Sequence, residues 1–206
     1  MKEYKTVRHA TSYTMTERKS EFICYVTPVS DESTALAFIG DIKKKHSDAK
    51  HNVYVYILRS NNTTRFSDDG EPHGTAALPV LELLHKEEIT DVAVVITRYF
   101  GGILLGTGGL VRAYTAVVKA ALEIAGIVRN VCCTVFTVSL TYSDYPKIEY
   151  FLQGKPIIRD KTTFENEAVM VLAVAEEGFC ETEKSITEIT CGRAVITKLG
   201  ERFYAL

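Results

Sequence analysis

Five glycines fall within the nine residues from Gly101 to Gly109, between an apolar run ending at Arg98 and a long stretch of helical periodicity, and this segment constrains the fold more than any other. Gly101, Gly102, Gly106, Gly108 and Gly109 permit positive φ and let another backbone or a ligand come close, which side chains prevent. The order reads as strand, paired glycines, short apolar connector, second glycine cluster, helix. In that helix Leu110, Ala113, Tyr114, Val117, Ala121, Ile124 and Ala125 keep a 3.6-residue period. A helix start carries unpaired N–H groups and the positive end of the macrodipole, so Gly106, Thr107, Gly108 and Gly109 form a candidate seat for a phosphate-type anion. Arg98 and Arg112 lie close by in sequence. The plain alternative is a sharp turn that packs the helix tightly on a sheet. The spacing is neither a P-loop nor a dinucleotide fingerprint, because no Gly-Lys-Ser/Thr follows and GTGGLV lacks G-x-G-x-x-G.

A second run, FSDDGEPHGTA from Phe66 to Ala76, sets Asp68, Asp69, Glu71 and His73 around Gly70 and Pro72. That composition excludes a helix interior and a central strand, leaving a rigid polar loop. Two aspartates and a glutamate suit a hard cation, and a histidine beside them can carry a proton. Against this stands a structural reading. Asp68 and Asp69 bond to backbone N–H groups of the turn, and Glu71 pairs with Arg98 or Arg112.

Elsewhere the chain alternates strands and helices. Tyr4 to Ala10 and Glu21 to Val29 read as a hairpin joined by a polar turn. Ser30 or Asp31 caps a helix whose apolar face is Ala35, Leu36, Phe38, Ile39 and Ile42, and whose last turn is Lys43 to Lys45. That lysine run is either a solvated helix end or a phosphate contact. His51 to Leu58 is a central strand, Thr75 to about Lys86 a helix, and Asp91 to Thr97 a buried strand. After Gly126 the pattern restarts as strand, helix, two strands, helix and strand within about 75 residues, the split β-α-β order of a ferredoxin-like sandwich. The expected fold class is α+β with two domains, 1–128 and 129–206.

With 46% hydrophobic residues the chain can bury real cores. Charge is balanced, 15 Lys+Arg against 15 Asp+Glu in residues 1–128 and 9 against 11 in 129–206, so any nucleic-acid contact must be a local patch. The five cysteines form no C-x-x-C pair, which points to buried free thiols in a reducing cytoplasm and away from a zinc site. No signal peptide or membrane-spanning run is expected, and no cofactor or metal is assigned.

The runs FSDDGEPHGTA and ITRYFGGILLGTGGLVRAYTAV resemble the signature of the YigZ/IMPACT family, with its Impact-type N-terminal domain. The resemblance implies that residues 1–128 are similar to the second domain of ribosomal protein S5. It also implies that residues 129–206 are similar to the last domain of elongation factor G. A ribosome or RNA partner follows by analogy. Eukaryotic relatives, which carry a further domain, regulate translation by binding a protein partner.

The expectation is therefore a cytoplasmic, non-enzymatic regulator of translation or of a stress response that binds RNA, ribosome or a protein. Asp68, Glu71, His73, Arg98, Tyr99 and the Gly106 to Arg112 helix start would line one concave site. In it Arg98 and Arg112 would hold an anion, and Tyr99 and Phe100 would stack a base or pack inside. The alternative is an enzyme acting on a phosphorylated small molecule or nucleotide, with Asp68 and Asp69 holding Mg²⁺ and His73 as acid or base.

Overall fold

The computed structural model describes residues 3–205. The chain forms two compact units, one from Tyr4 to Arg129 and one built on the residues from Asn130 onward.

In the first unit, strands β2 (Thr11–Glu17), β3 (Ser20–Pro28), β4 (His51–Leu58), β5 (Thr63–Ser67) and β6 (Val92–Tyr99) make an antiparallel sheet in the order β2-β3-β6-β4-β5. A further strand, β1 (Glu3–Val7), bridges in parallel from Lys5 to Ile89. Helices α2 (Ala77–Lys86) and α3 (Thr107–Ala125) pack on one face, where Phe22, Cys24, Val94 and Ile96 meet Leu84, Leu110, Tyr114 and Val117. Helix α1 (Glu32–Lys45) covers part of the other, over Tyr56, Ala93 and Val95. Strand β6 is apolar on both sides because it is buried on both sides.

Asp31 caps α1 by accepting from the Thr34 N–H at 2.8 Å, and three lysines at the far end complement the dipole. Ala35, Ile39 and Ile42 are buried as the periodicity requires. Leu36, placed on the same face by sequence, is half exposed.

The hairpin differs from expectation. Strand β1 stops at Val7, and the partner of β3 is β2, paired from Thr11 with Val26 to Glu17 with Ser20. Only Tyr13 and Met15 of β2 pack on the core. Ser12, Thr14 and Thr16 face outward, so an edge strand looks like a polar turn in sequence. The true turn, Arg18 and Lys19, takes φ of 44° and 64° without the Asn or Gly that usually announces this geometry.

In the second unit, β7 (Ile127–Leu140), α4 (Tyr145–Phe151), β8 (Ile157–Phe164), β9 (Ala168–Ala175), α5 (Phe179–Ile189) and β10 (Val195–Ala205) follow the split order; β7 pairs antiparallel with β9 and β10, β8 pairs antiparallel with β9, and β1 joins the same sheet beside β7. Phe136, Val138, Leu140, Ile148, Met170, Leu172, Phe179 and Ile186 form its core. Buried Asp144 receives Arg193 Nε and Nη2, each at 2.8 Å, tying the start of α4 to the entrance of β10. These bonds and Lys147 hold its carboxyl well below the ordinary range.

The molecule is thus an α+β, two-unit structure. Among the described residues no helix is long and apolar enough to cross a membrane. All five cysteines are free. Cys24 and Cys133 are buried as expected, whereas Cys180 and Cys191 are exposed, because α5 and the turn after it present them to solvent.

Candidate functional site

The acidic loop after β5 folds back on itself. Asp68 Oδ1 accepts from Ala77 N–H at 2.7 Å and Oδ2 from Gly74 N–H at 3.2 Å, so this carboxylate caps α2 from outside the helix. Asp69 Oδ2 accepts from Asn52 N–H at 2.7 Å and Oδ1 from Lys43 Nζ at 2.9 Å. Partial burial opposes the charge of Asp69, but these donors outweigh it and lower its pKa. The His73 side chain is almost fully exposed, with Nδ1 3.8 Å from Asp68 Oδ2. Among the described residues no group of three His, Cys, Asp or Glu side chains is arranged to hold a metal. Both carboxylates are thus engaged by protein donors, Asp68 by backbone N–H groups of the loop and the start of α2, and Asp69 not by the turn but by β4 and α1.

Glu71 joins the two runs. It is buried, and Oε1 accepts from Arg98 Nη1 at 2.5 Å and from Tyr114 Oη at 2.8 Å. His51, opposite Arg98 in the sheet, donates from Nδ1 to the Asp69 carbonyl at 2.8 Å and sets Nε2 3.8 Å from the same Glu71 oxygen. Burial and the neighbouring Glu71 carboxylate push the Tyr114 phenol far above its usual pKa. The Arg98 guanidinium also lies 5.3 Å from the Phe22 ring centre and 5.6 Å from that of Phe100, and its buried Nε has no hydrogen-bond partner among the described residues.

Arg98 and Tyr99 do not share a site. Successive strand residues face opposite sides, so Arg98 joins Val94 and Ile96 on the α2/α3 side, while Tyr99 bonds to His46 Nδ1 at 2.9 Å on the α1 side. Arg112 is separate again. It lines a cavity of about 240 Å³ with Met15, Glu17, Arg18, Leu105 and Gly109, between β2 and α3. Arg98 is committed to Glu71, so the two arginines do not stand as a joint anion clamp.

The glycines divide by role. A Cβ at Gly101 would stand 2.0 Å from the Lys19 carbonyl carbon, and Gly101 N–H donates to Ser20 Oγ at 3.2 Å, so glycine is needed for close backbone approach to the hairpin turn. Gly102 and Gly106 take φ of 82° and 72°. Gly106 is the N-cap of α3 and offers no side-chain bond, and the first turn contains no acidic residue. Gly108 leaves room beside the Arg112 guanidinium, whose Nη1 lies 3.7 Å from where a Cβ would be. The first turn of α3 therefore faces solvent with its positive end uncapped and a cation beside it. Next to it Phe100, Ile103 and Leu104 are exposed, Leu104 by 81%.

His46, His51, Tyr114 and Asn52 belong to these clusters and were not singled out by sequence. The apolar stripe hid Tyr114, and only strand register puts His51 opposite Arg98.

Residues 18–122 match the Impact N-terminal domain family. The Bacillus subtilis IMPACT family member YvyE is 37% identical over 202 residues, covering 98% of this chain and 93% of its own length. Escherichia coli IMPACT family member YigZ is 36% identical over 153 residues, covering 71% of this chain and 75% of its own. Protein IMPACT of Oryctolagus cuniculus is 32% identical over 96 residues, 45% of this chain and 30% of that one. A crystal structure described as that of an hypothetical protein superposes with a TM-score of 0.61 at 27% identity, covering 98% of this chain and 100% of the other.

Proposed function

The chain belongs to the IMPACT family, and from this we propose that it is a non-enzymatic regulator of translation that binds a protein of the translation apparatus through the segment from Phe100 to Arg112. The observation that carries the reading is the exposure of Phe100, Ile103 and Leu104 beside the uncapped start of α3. An exposed leucine next to free helix N–H groups and Arg112 suits a partner that presents an apolar side chain close to a carboxylate. The translation setting comes from the family resemblance. The aspartates that an Mg²⁺-dependent enzyme would need are engaged with Asn52, Gly74, Ala77 and Lys43.

Co-sedimentation of the purified protein with ribosomal particles tests this, comparing wild type with Leu104→Asp and Ile103→Asp. Both substitutions lie on exposed loop positions, so the melting temperature should stay within a few degrees of wild type. Co-sedimentation should fall at least tenfold. Unchanged co-sedimentation in both variants removes this segment as the contact. Co-sedimentation that excess single-stranded RNA competes away in wild type and both variants alike makes RNA the partner.

A further inference from the structure

Beyond the C-terminal end of α1, the sheet face turned away from α2 and α3 carries aromatic and basic side chains in a fixed arrangement. His46, the residue after α1, is buried with Nε2 2.7 Å from Tyr25 Oη and Nδ1 2.9 Å from Tyr99 Oη. The partners dictate the direction of each bond. Tyr99 donates to the Asp48 carboxylate at 2.9 Å, so it accepts from His46 Nδ1–H. Lys45 Nζ donates to Tyr25 Oη at 3.2 Å, and Tyr25 gives its own proton to Nε2. These directions fit a neutral imidazole, and burial, followed by the nearby Lys45, lowers its pKa against the opposing pull of Asp48 and Glu21. Two half-buried tyrosines on neighbouring strands are thereby locked in position, with ring centres 5.5 Å and 6.0 Å from the imidazole.

A lysine stands over one of these rings and another over the neighbouring Phe100. Lys45 Nζ lies 4.9 Å from the Tyr25 ring centre and Lys50 Nζ 5.2 Å from that of Phe100, and Lys44 is exposed. Of the nearby carboxylates, Asp48 is engaged by Tyr99, and Glu21, the cross-strand partner of Tyr99, marks the limit of the basic track. The helix dipole accounts for lysines in the last turn of α1. It does not account for Lys50 or for immobilised aromatic side chains at the same edge. Preorganised rings flanked by lysines are what a single strand uses, since bases stack on any π-face and phosphates follow the cations.

We propose that this face binds single-stranded RNA, with bases on Tyr25 and Tyr99 and phosphates at Lys44, Lys45 and Lys50. RNA, as against DNA, rests on the translation reading above, whereas the surface itself touches the Phe100 to Arg112 contact only at Phe100, beside Lys50, and does not include Ile103, Leu104 or Arg112.

Fluorescence anisotropy of the full chain with a labelled 12-nucleotide RNA of mixed sequence, over a range of salt concentrations, tests the proposal. Wild type should bind the single strand more tightly than the duplex, with affinity falling steeply as salt rises. Tyr25→Leu should weaken binding about tenfold, and Tyr25→Phe, which keeps the ring, should stay within about threefold. Lys45→Ala with Lys50→Ala should reduce the salt slope by about 1.4. Leu104→Asp should bind RNA as wild type does, which separates this site from the protein contact. No binding at low salt, equal binding by Tyr25→Leu, or a preference for duplex overturns the proposal. Tighter binding of DNA of the same sequence overturns the choice of RNA.

Discussion

Arg98 Nη1 meets Glu71 Oε1 at 2.5 Å inside the first unit, with 5% and 2% of the two side chains exposed. The acidic loop and the β6 to α3 segment are joined at this pair, and Tyr114 and His51 converge on the same carboxylate.

Glu71→Gln or Arg98→Met alone leaves one buried charge without its partner, so each should cost about 3–5 kcal/mol of stability in urea unfolding. The double variant should lose less than the two single losses added together, because neither charge remains. Tyr114→Phe removes one hydrogen bond to a carboxylate and should cost about 1.5–3 kcal/mol. Additive losses in the cycle would show that the pair is not coupled.

Gly101→Ala places a methyl against the Lys19 backbone, where no flexible side chain can yield. A loss of about 3 kcal/mol is expected. Gly108→Ala meets only the end of Arg112 at an ordinary distance, inside a helix. It should be neutral or gain up to about 1 kcal/mol. Equal effects at the two positions, read from denaturant midpoints, would refute this distinction.

Asp68→Ala strips α2 of the acceptor for Ala77 N–H and should lower stability by about 1–2 kcal/mol. Mg²⁺ should not raise the melting temperature of wild type, since Asp68 and Asp69 already hold protein donors. A rise of several degrees in millimolar Mg²⁺ that disappears in Asp68→Ala would favour the enzyme reading.

His46 has a folded pKa below its ordinary value near 6.5, first through burial and then through Lys45. The unfolded chain therefore takes up this proton more readily. The stability contributed is complete above about pH 6.5 and is lost as pH falls through that value toward the folded pKa. Unfolding free energy measured from pH 7.5 to 5 should decline, with a smaller decline in His46→Gln. Equal pH dependence in the two proteins would assign the effect to other groups.

Periodicity made α3, β4, β6 and the split order after Gly126 legible, since each carries a long apolar pattern tied to one geometry. Strand β2 was not legible, because an edge strand needs few apolar residues and its turn uses Arg18 and Lys19 where Gly or Asn is usual. Within the site, pairing of Glu71 with Arg98 was one of two stated possibilities. Sequence could not choose between Arg98 and Arg112 because that choice depends on which face of β6 turns toward the loop. Once β6 is placed, alternation alone parts Arg98 from Tyr99. The His46 chain needs Tyr25, Asp48 and Tyr99 from three separate segments, and no local pattern announces such a meeting.

The distribution of thiols makes the protein its own unfolding reporter. Burial raises the Cys24 pKa and seals it within the core of the first unit, whereas Cys180 and Cys191 stand in solvent on the second. An alkylating reagent should mark the second unit within minutes under native conditions. Cys24 would be marked only when the first unit opens, so its slow modification would time that opening without any engineered label.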